Sequence, residues 1–130
     1  MMTTLTHRLA SLLRLHQPVN PDLPRRIFSD DVFIVSSPKS GNTWARFLLA
    51  NVICPQGTTI DFHNVSQFAP EVGRHEDLLA SLPRPRLIKA HARRQEAYPR
   101  TVYIVRDGRD VYASYFHHQH KTLPPGTTFG

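Results

Sequence analysis

A chain of 130 residues has room for one domain and not for two. Hydrophobic residues make up 40% and charged residues 20% of it, an ordinary globular balance that excludes collagen-like and wholly disordered chains. Sixteen Lys and Arg against ten Asp and Glu leave a net charge of +6, which points to an anionic partner, either a polyanion or a small phosphorylated molecule.

In chain order, residues 1–16 (MMTTLTHRLASLLRLH) carry Arg and no acid. Leu5, Leu9, Leu12 and Leu13 fall on one face of a predicted surface helix, and the same pattern also suits a transit peptide. It lacks the compact apolar stretch and small-residue cleavage pattern of a secretory signal. Pro18, Pro21 and Pro24 then mark a connection. Residues 32–35 (VFIV) form a continuous apolar run, the pattern of a strand buried on both faces of a parallel sheet. A tight turn over 36–41 leads into a predicted helix over 42–53, and a short helix is predicted over 74–82. Pro83 and Pro85 mark the next connection, followed by a strand at Leu87 and Ile88. A third strand over 101–105 (TVYIV) reads as buried on both faces, and the turn Arg106-Asp107-Gly108 leads to a helix over 109–119. Pro124 and Pro125 mark a last connection. Strand, turn and helix in repetition define an α/β fold: a parallel sheet flanked by helices, with right-handed crossovers and ligands beyond the carboxyl ends of the strands. No apolar run approaches the roughly 20 residues of a membrane span. Cys54 is the only cysteine, so there is no internal disulfide and no cysteine metal cluster, which fits a reducing compartment.

Three segments carry chemistry. In VSSPKSGNTW (35–44) a strand ends, Gly41 gives the backbone freedom, and Ser40 or Asn42 can cap the following helix. The amides of that helix start favour an anion, Lys39 adds a full positive charge, and the Thr43 hydroxyl adds a donor. Because Lys39 precedes Ser40-Gly41, the order is not Walker A. At the third strand, Arg106 is followed eight positions later by Ser114, about two helical turns on. A guanidinium and a hydroxyl at one pocket suit a terminal phosphate. Asp110 reads as structural, holding the turn or Arg109. A solvated turn with weak surface ion pairs is the competing reading of 106–110. Between these segments, Lys89 and His91 lie two apart at a strand end and project to one face. An imidazole titrates near neutral pH and suits a general base. His117, His118 and His120 have no acidic or cysteine partner pattern, so no metal is expected; His7, His16, His63 and His75 read as surface residues.

Together these segments resemble a known family. Pro38-Lys39-Ser40-Gly41-Asn42-Thr43-Trp44 resembles the 5′-phosphosulfate-binding loop of sulfotransferases that use 3′-phosphoadenosine 5′-phosphosulfate (PAPS). Arg106 through Ser114 resembles their 3′-phosphate motif, and Lys89-Ala90-His91 their Lys-x-His. The resemblance implies a P-loop-NTPase-like sulfotransferase fold. It implies that Lys39 contacts the bridging oxygen of the leaving group, that Ser40, Gly41, Asn42 and Thr43 hold the 5′-phosphate, and that Trp44 packs on adenine. Asn42 stands where many cytosolic members have Thr. Arg106 and Ser114 would bind the 3′-phosphate, His91 would act as general base and Lys89 would lie near the transferring group. The family commonly continues Leu-Pro after the histidine, where this chain has Ala92-Arg93. The implied reaction moves a sulfuryl group from PAPS to a small-molecule or glycan hydroxyl, or to an amine, without a metal, in the cytoplasm and without nucleic acid as partner. The acceptor pocket would be built from residues 55–85 together with segments beyond Gly130, and Phe62 and Phe68 hint at an apolar alcohol.

Family members run beyond Gly130, and their later Gly-rich, Arg/Lys-containing segment has no match here. Residues 124–130 read as a loop cut open. The expectation is one partial domain, with an N-terminal helix and Pro-rich connection over 1–25, a nucleotide-binding core over 30–120 and a truncated loop over 121–130. Missing strands would leave sheet edges uncovered and favour self-association. The alternative is a truncated, catalytically inactive remnant that binds PAPS or adenosine bisphosphate. A basic nucleic-acid binder is a third reading, and it lacks a basic stripe interleaved with aromatics.

Overall fold

The computed structural model describes residues 20–21, 23–91 and 94–119, together with positions 122, 124 and 126. The predicted N-terminal helix, His7, His16, His120 and most of the loop over 121–130 lie outside the described residues. Among the described residues three strands and four helices follow in order: β1 (Val32–Ser36), α1 (Asn42–Ile53), α2 (Val65–Phe68), α3 (Glu76–Ser81), β2 (Leu87–Ala90), β3 (Arg100–Ile104) and α4 (Gly108–Gln119). The strands form one parallel sheet in the order β2-β1-β3. This is the expected α/β architecture.

The continuous apolar run of β1 becomes the middle strand because both its faces find cover. Phe33 and Val35 point to one side and pack with Leu79, Ile88, Ala90 and Tyr98; the Phe33 and Tyr98 rings stack with centroids 3.8 Å apart. Ile34 points to the other side and packs with Leu87 and Ala69 against Ala45 and Leu49 of α1. The alternation of strand side chains thus feeds two cores from one strand. A third cluster of Ala50, Ile60 and Val65 ties α1 to α2.

β3 departs from expectation. Its composition suggests burial on both faces, yet among the described residues it pairs with β1 alone, and Val102 and Tyr103 are exposed. Ile104, partly buried, packs against the core, and its pairing with Ser36 is the last of the ladder, leaving Val105 outside it. Helix α4 buries no residue.

Beneath the sheet, Asp31 and Arg86 form a fully buried pair with bonds of 2.8 Å from Nε to Oδ1 and 2.6 Å from Nη2 to Oδ2. Two further guanidinium N–H groups donate to the carbonyls of Leu79 and Arg26, both at 2.8 Å. Every charge is matched, as burial requires. The stretch Pro83-Arg84-Pro85-Arg86, read from sequence as a mere connection, therefore anchors the start of β2.

Candidate active site

Strand order creates the site. After β1 the chain crosses to β2 on one side and reaches β3 on the other only later, so a crevice opens between the loops that follow β1 and β3. A cleft of about 480 Å³ occupies this position, the size of a small-ligand site. The first turn contributes Lys39, Gly41, Asn42, Thr43 and Trp44 to its walls. The end of β2 contributes His91, and the segment after β3 contributes Arg106 and Ser114. Arg106 Nη1 donates to the carbonyl oxygen of Lys39 at 3.3 Å, joining the two predicted anion sites directly. Ser40 and Lys89 do not line the cleft: Ser40 is buried within the loop, and Lys89 lies behind His91.

The loop over 38–41 bends through two left-handed residues, Lys39 at φ 65° and Gly41 at φ 102°. Gly41 takes this conformation freely, whereas Lys39 holds it at a cost on the order of 1 kcal/mol. Gly41 is also the N-cap of α1, and no side chain caps the helix. The expectation that Ser40 or Asn42 would do so is corrected. Asn42 is drawn inward instead, its amide donating to Ile34 O at 3.3 Å and Ala90 O at 3.4 Å. Both partners are carbonyls, so Nδ2 must face them, and Oδ1 is left buried without a donor. Asn42 thereby braces the carboxyl ends of β1 and β2. With no acid in its first turn and no side-chain cap, α1 presents its leading amides for an anion. The donor set of amides, ammonium, guanidinium and hydroxyls fits a phosphorylated molecule.

Asp110 lies 3.8 Å from Arg106 Nε, while Arg109 pairs with Asp107 at 2.9 Å. The acid expected to hold Arg109 is thus the neighbouring one, and Asp110 faces the ligand-side arginine. Phe62 and Phe68 are not at the cleft: Phe62 meets Phe47 edge-on at 4.8 Å, and Phe68 packs on the cluster between α1 and α2. The cleft's further walls are Tyr115, His118 and Gln119. Of these, His118 lies four positions after Ser114 and so shares its face of α4, while Tyr115 and Gln119 flank it.

Behind His91 stands a residue no motif announced. Glu71 Oε2 is 3.2 Å from Lys89 Nζ, and Oε1 is 3.7 Å from His91 Nε2. Arg74 approaches the same carboxylate at 3.6 Å. Burial pushes the Glu71 carboxyl up, but Lys89, His91 and Arg74 outweigh it and hold the group below the ordinary glutamate range. Burial lowers the Lys89 ammonium, with Glu71 opposing. Burial and the Lys89 charge lower the His91 imidazole. His75, expected at the surface, is half-buried, and its Nδ1 accepts the backbone N–H of Glu71 at 3.1 Å.

Comparison with known proteins converges on the same reading of the family. Residues 29–128 match the model of the sulfotransferase domain family. Sulfotransferase 1A1 of Bos taurus is 32% identical over 105 residues, covering 68% of this chain and 35% of the relative. The Canis lupus familiaris protein of the same name is 31% identical with the same coverage. The chain belongs to the sulfotransferase domain family. It spans 35% of the length of these relatives.

Proposed function

We propose that the chain binds PAPS across the cleft and transfers its sulfuryl group to a hydroxyl, or an amine, of a small molecule or glycan. The observation that carries this reading is the convergence of Lys39, Arg106 and His91 on one cleft, with Arg106 bonded to the Lys39 backbone. Lys39 and the leading amides of α1 hold the 5′-phosphosulfate end, assisted by Gly41, Thr43 and the buried turn at Ser40. Arg106 and Ser114 hold the 3′-phosphate. Trp44, 78% exposed at the cleft wall, offers its indole to the adenine.

His91 takes the proton of the acceptor as the acceptor oxygen bonds to sulfur and the sulfur–oxygen bond to the 5′-phosphate breaks. Lys39 compensates the charge left on the departing bisphosphate, and Lys89 assists from behind His91. Positioning and charge compensation carry such a transfer, as in phosphoryl transfer. This chemistry calls for no metal and no nucleic-acid partner, and the proposed location is the cytoplasm. Among the described residues no helix is long and apolar enough to cross a membrane. The exposed edge at β3 supports self-association, which a concentration-independent sedimentation coefficient would refute.

A second reading, nucleotide binding without turnover, is favoured by α4, which walls the cleft yet has no buried residue. Incubation with PAPS and a panel of phenols and alcohols separates the two. Release of adenosine 3′,5′-bisphosphate with a sulfated acceptor is expected, and Lys39→Ala should slow it by about 10²- to 10³-fold. Bisphosphate binding with no turnover supports the second reading, and unchanged turnover in Lys39→Ala removes that residue from the mechanism.

A further inference from the structure

We propose that Glu71 is a positioning residue for His91: its carboxylate, set between Lys89 and the imidazole, holds both side chains at the end of β2 and compensates the charge formed when His91 takes up a proton. The role in transfer rests on the function proposed above; the coupling of Glu71 to His91 does not.

The backbone around Glu71 is fixed on two sides. Lys89 N–H donates to Pro70 O at 2.8 Å and Val72 N–H donates to Lys89 O at 3.0 Å, making Glu71 a one-residue parallel strand on the open edge of β2. His75 Nδ1 accepts the Glu71 N–H from the other direction. The carboxylate is 16% exposed and so is aimed rather than free. Its two oxygens divide the work: Oε2 faces Lys89 Nζ, and Oε1 faces His91 Nε2. His91 reaches the cleft while Glu71 and Lys89 stay behind it. A carboxylate behind a cleft-facing histidine is the arrangement that orients an imidazole and stabilises its cation.

Charge makes the acid necessary. His91 is influenced by Lys89, Arg74 and Arg46, and it shares the cleft walls with Lys39, Arg106 and His118. Every one of the charged groups among these is a cation. Glu71 is the group that opposes them, and Arg74 attenuates it from the exposed side. Without Glu71 an imidazolium at position 91 would form beside Lys89, Arg74 and Arg46 with the opposing carboxylate gone, and Lys89 would lose its bond to Oε2.

The imidazole resonances of His91 in the intact chain, followed by NMR through a pH titration and assigned with His91→Gln, test this without any need for turnover. Glu71→Gln should lower the His91 titration midpoint, and Arg74→Ala, on an exposed side chain, should raise it. Turnover of PAPS in Glu71→Gln should fall about 10-fold, less than the 10²- to 10⁴-fold contribution of a general base, with Glu71→Asp recovering part of the loss. Where Glu71→Gln does not fold, Arg74→Ala and Glu71→Asp carry the titration test alone. A midpoint unmoved in the folded variants overturns the proposal. A midpoint moved in the variants, alongside a wild-type chain that turns over no PAPS, leaves the coupling standing and defeats the proposed function instead.

Discussion

His91 stands half-exposed at the end of a strand, where burial and the neighbouring Lys89 hold its imidazole below the ordinary histidine value. A lowered value keeps the ring neutral at neutral pH, the form that accepts a proton. The acid limb of kcat/KM is therefore expected to fall below the ordinary histidine range, and His91→Ala should abolish that limb. The same substitution should reduce turnover about 10²- to 10⁴-fold while leaving bisphosphate affinity within about twofold. An equal loss of affinity, measured by calorimetry, would make His91 a ligand contact rather than a base. Lys39, Arg106 and His91 were legible in sequence because each belongs to a contiguous motif following a strand. Glu71 was not: it lies 18 positions from Lys89, and only the bridge along the edge of β2 brings the two together.

The elements themselves follow the periodicity of the sequence wherever one strand or helix decides its own burial. The apolar run at 32–35 and the pattern over 42–53 gave β1 and α1 almost to the residue. β3 is more exposed than its composition suggests because nothing among the described residues covers its far side; a neighbour there, not its own side chains, determines burial. The start of β2 was hidden for another reason, since Arg86 meets Asp31 across 55 positions. Breaking that pair by Arg86→Ala or Asp31→Ala should cost about 3–5 kcal/mol in urea unfolding, because a lone buried charge remains. Replacing both partners by Met and Leu should cost far less. A loss below about 1 kcal/mol in the single variants would contradict the anchoring role.

Across the whole molecule the net charge of +6 finds a use, as cations gather on the cleft and behind it. His75, His91 and Glu71 are all held below their ordinary values, so the unfolded chain binds more protons than the folded one in each of those ranges. Folding stability therefore declines as pH falls below the ordinary histidine range, and again as it falls from the ordinary glutamate range through the lower value Glu71 has in the fold. Thermal midpoints measured downward from neutral pH should drop accordingly, and a flat profile would contradict these placements.

Isothermal titration of adenosine 3′,5′-bisphosphate into the chain addresses the joint use of the two strand ends most directly. One site is expected, weakening with salt, and Lys39→Ala and Arg106→Ala should each reduce affinity about 10- to 100-fold, the worth of one charge-assisted bond. No binding, or binding indifferent to both substitutions, would show that the two ends do not serve one nucleotide.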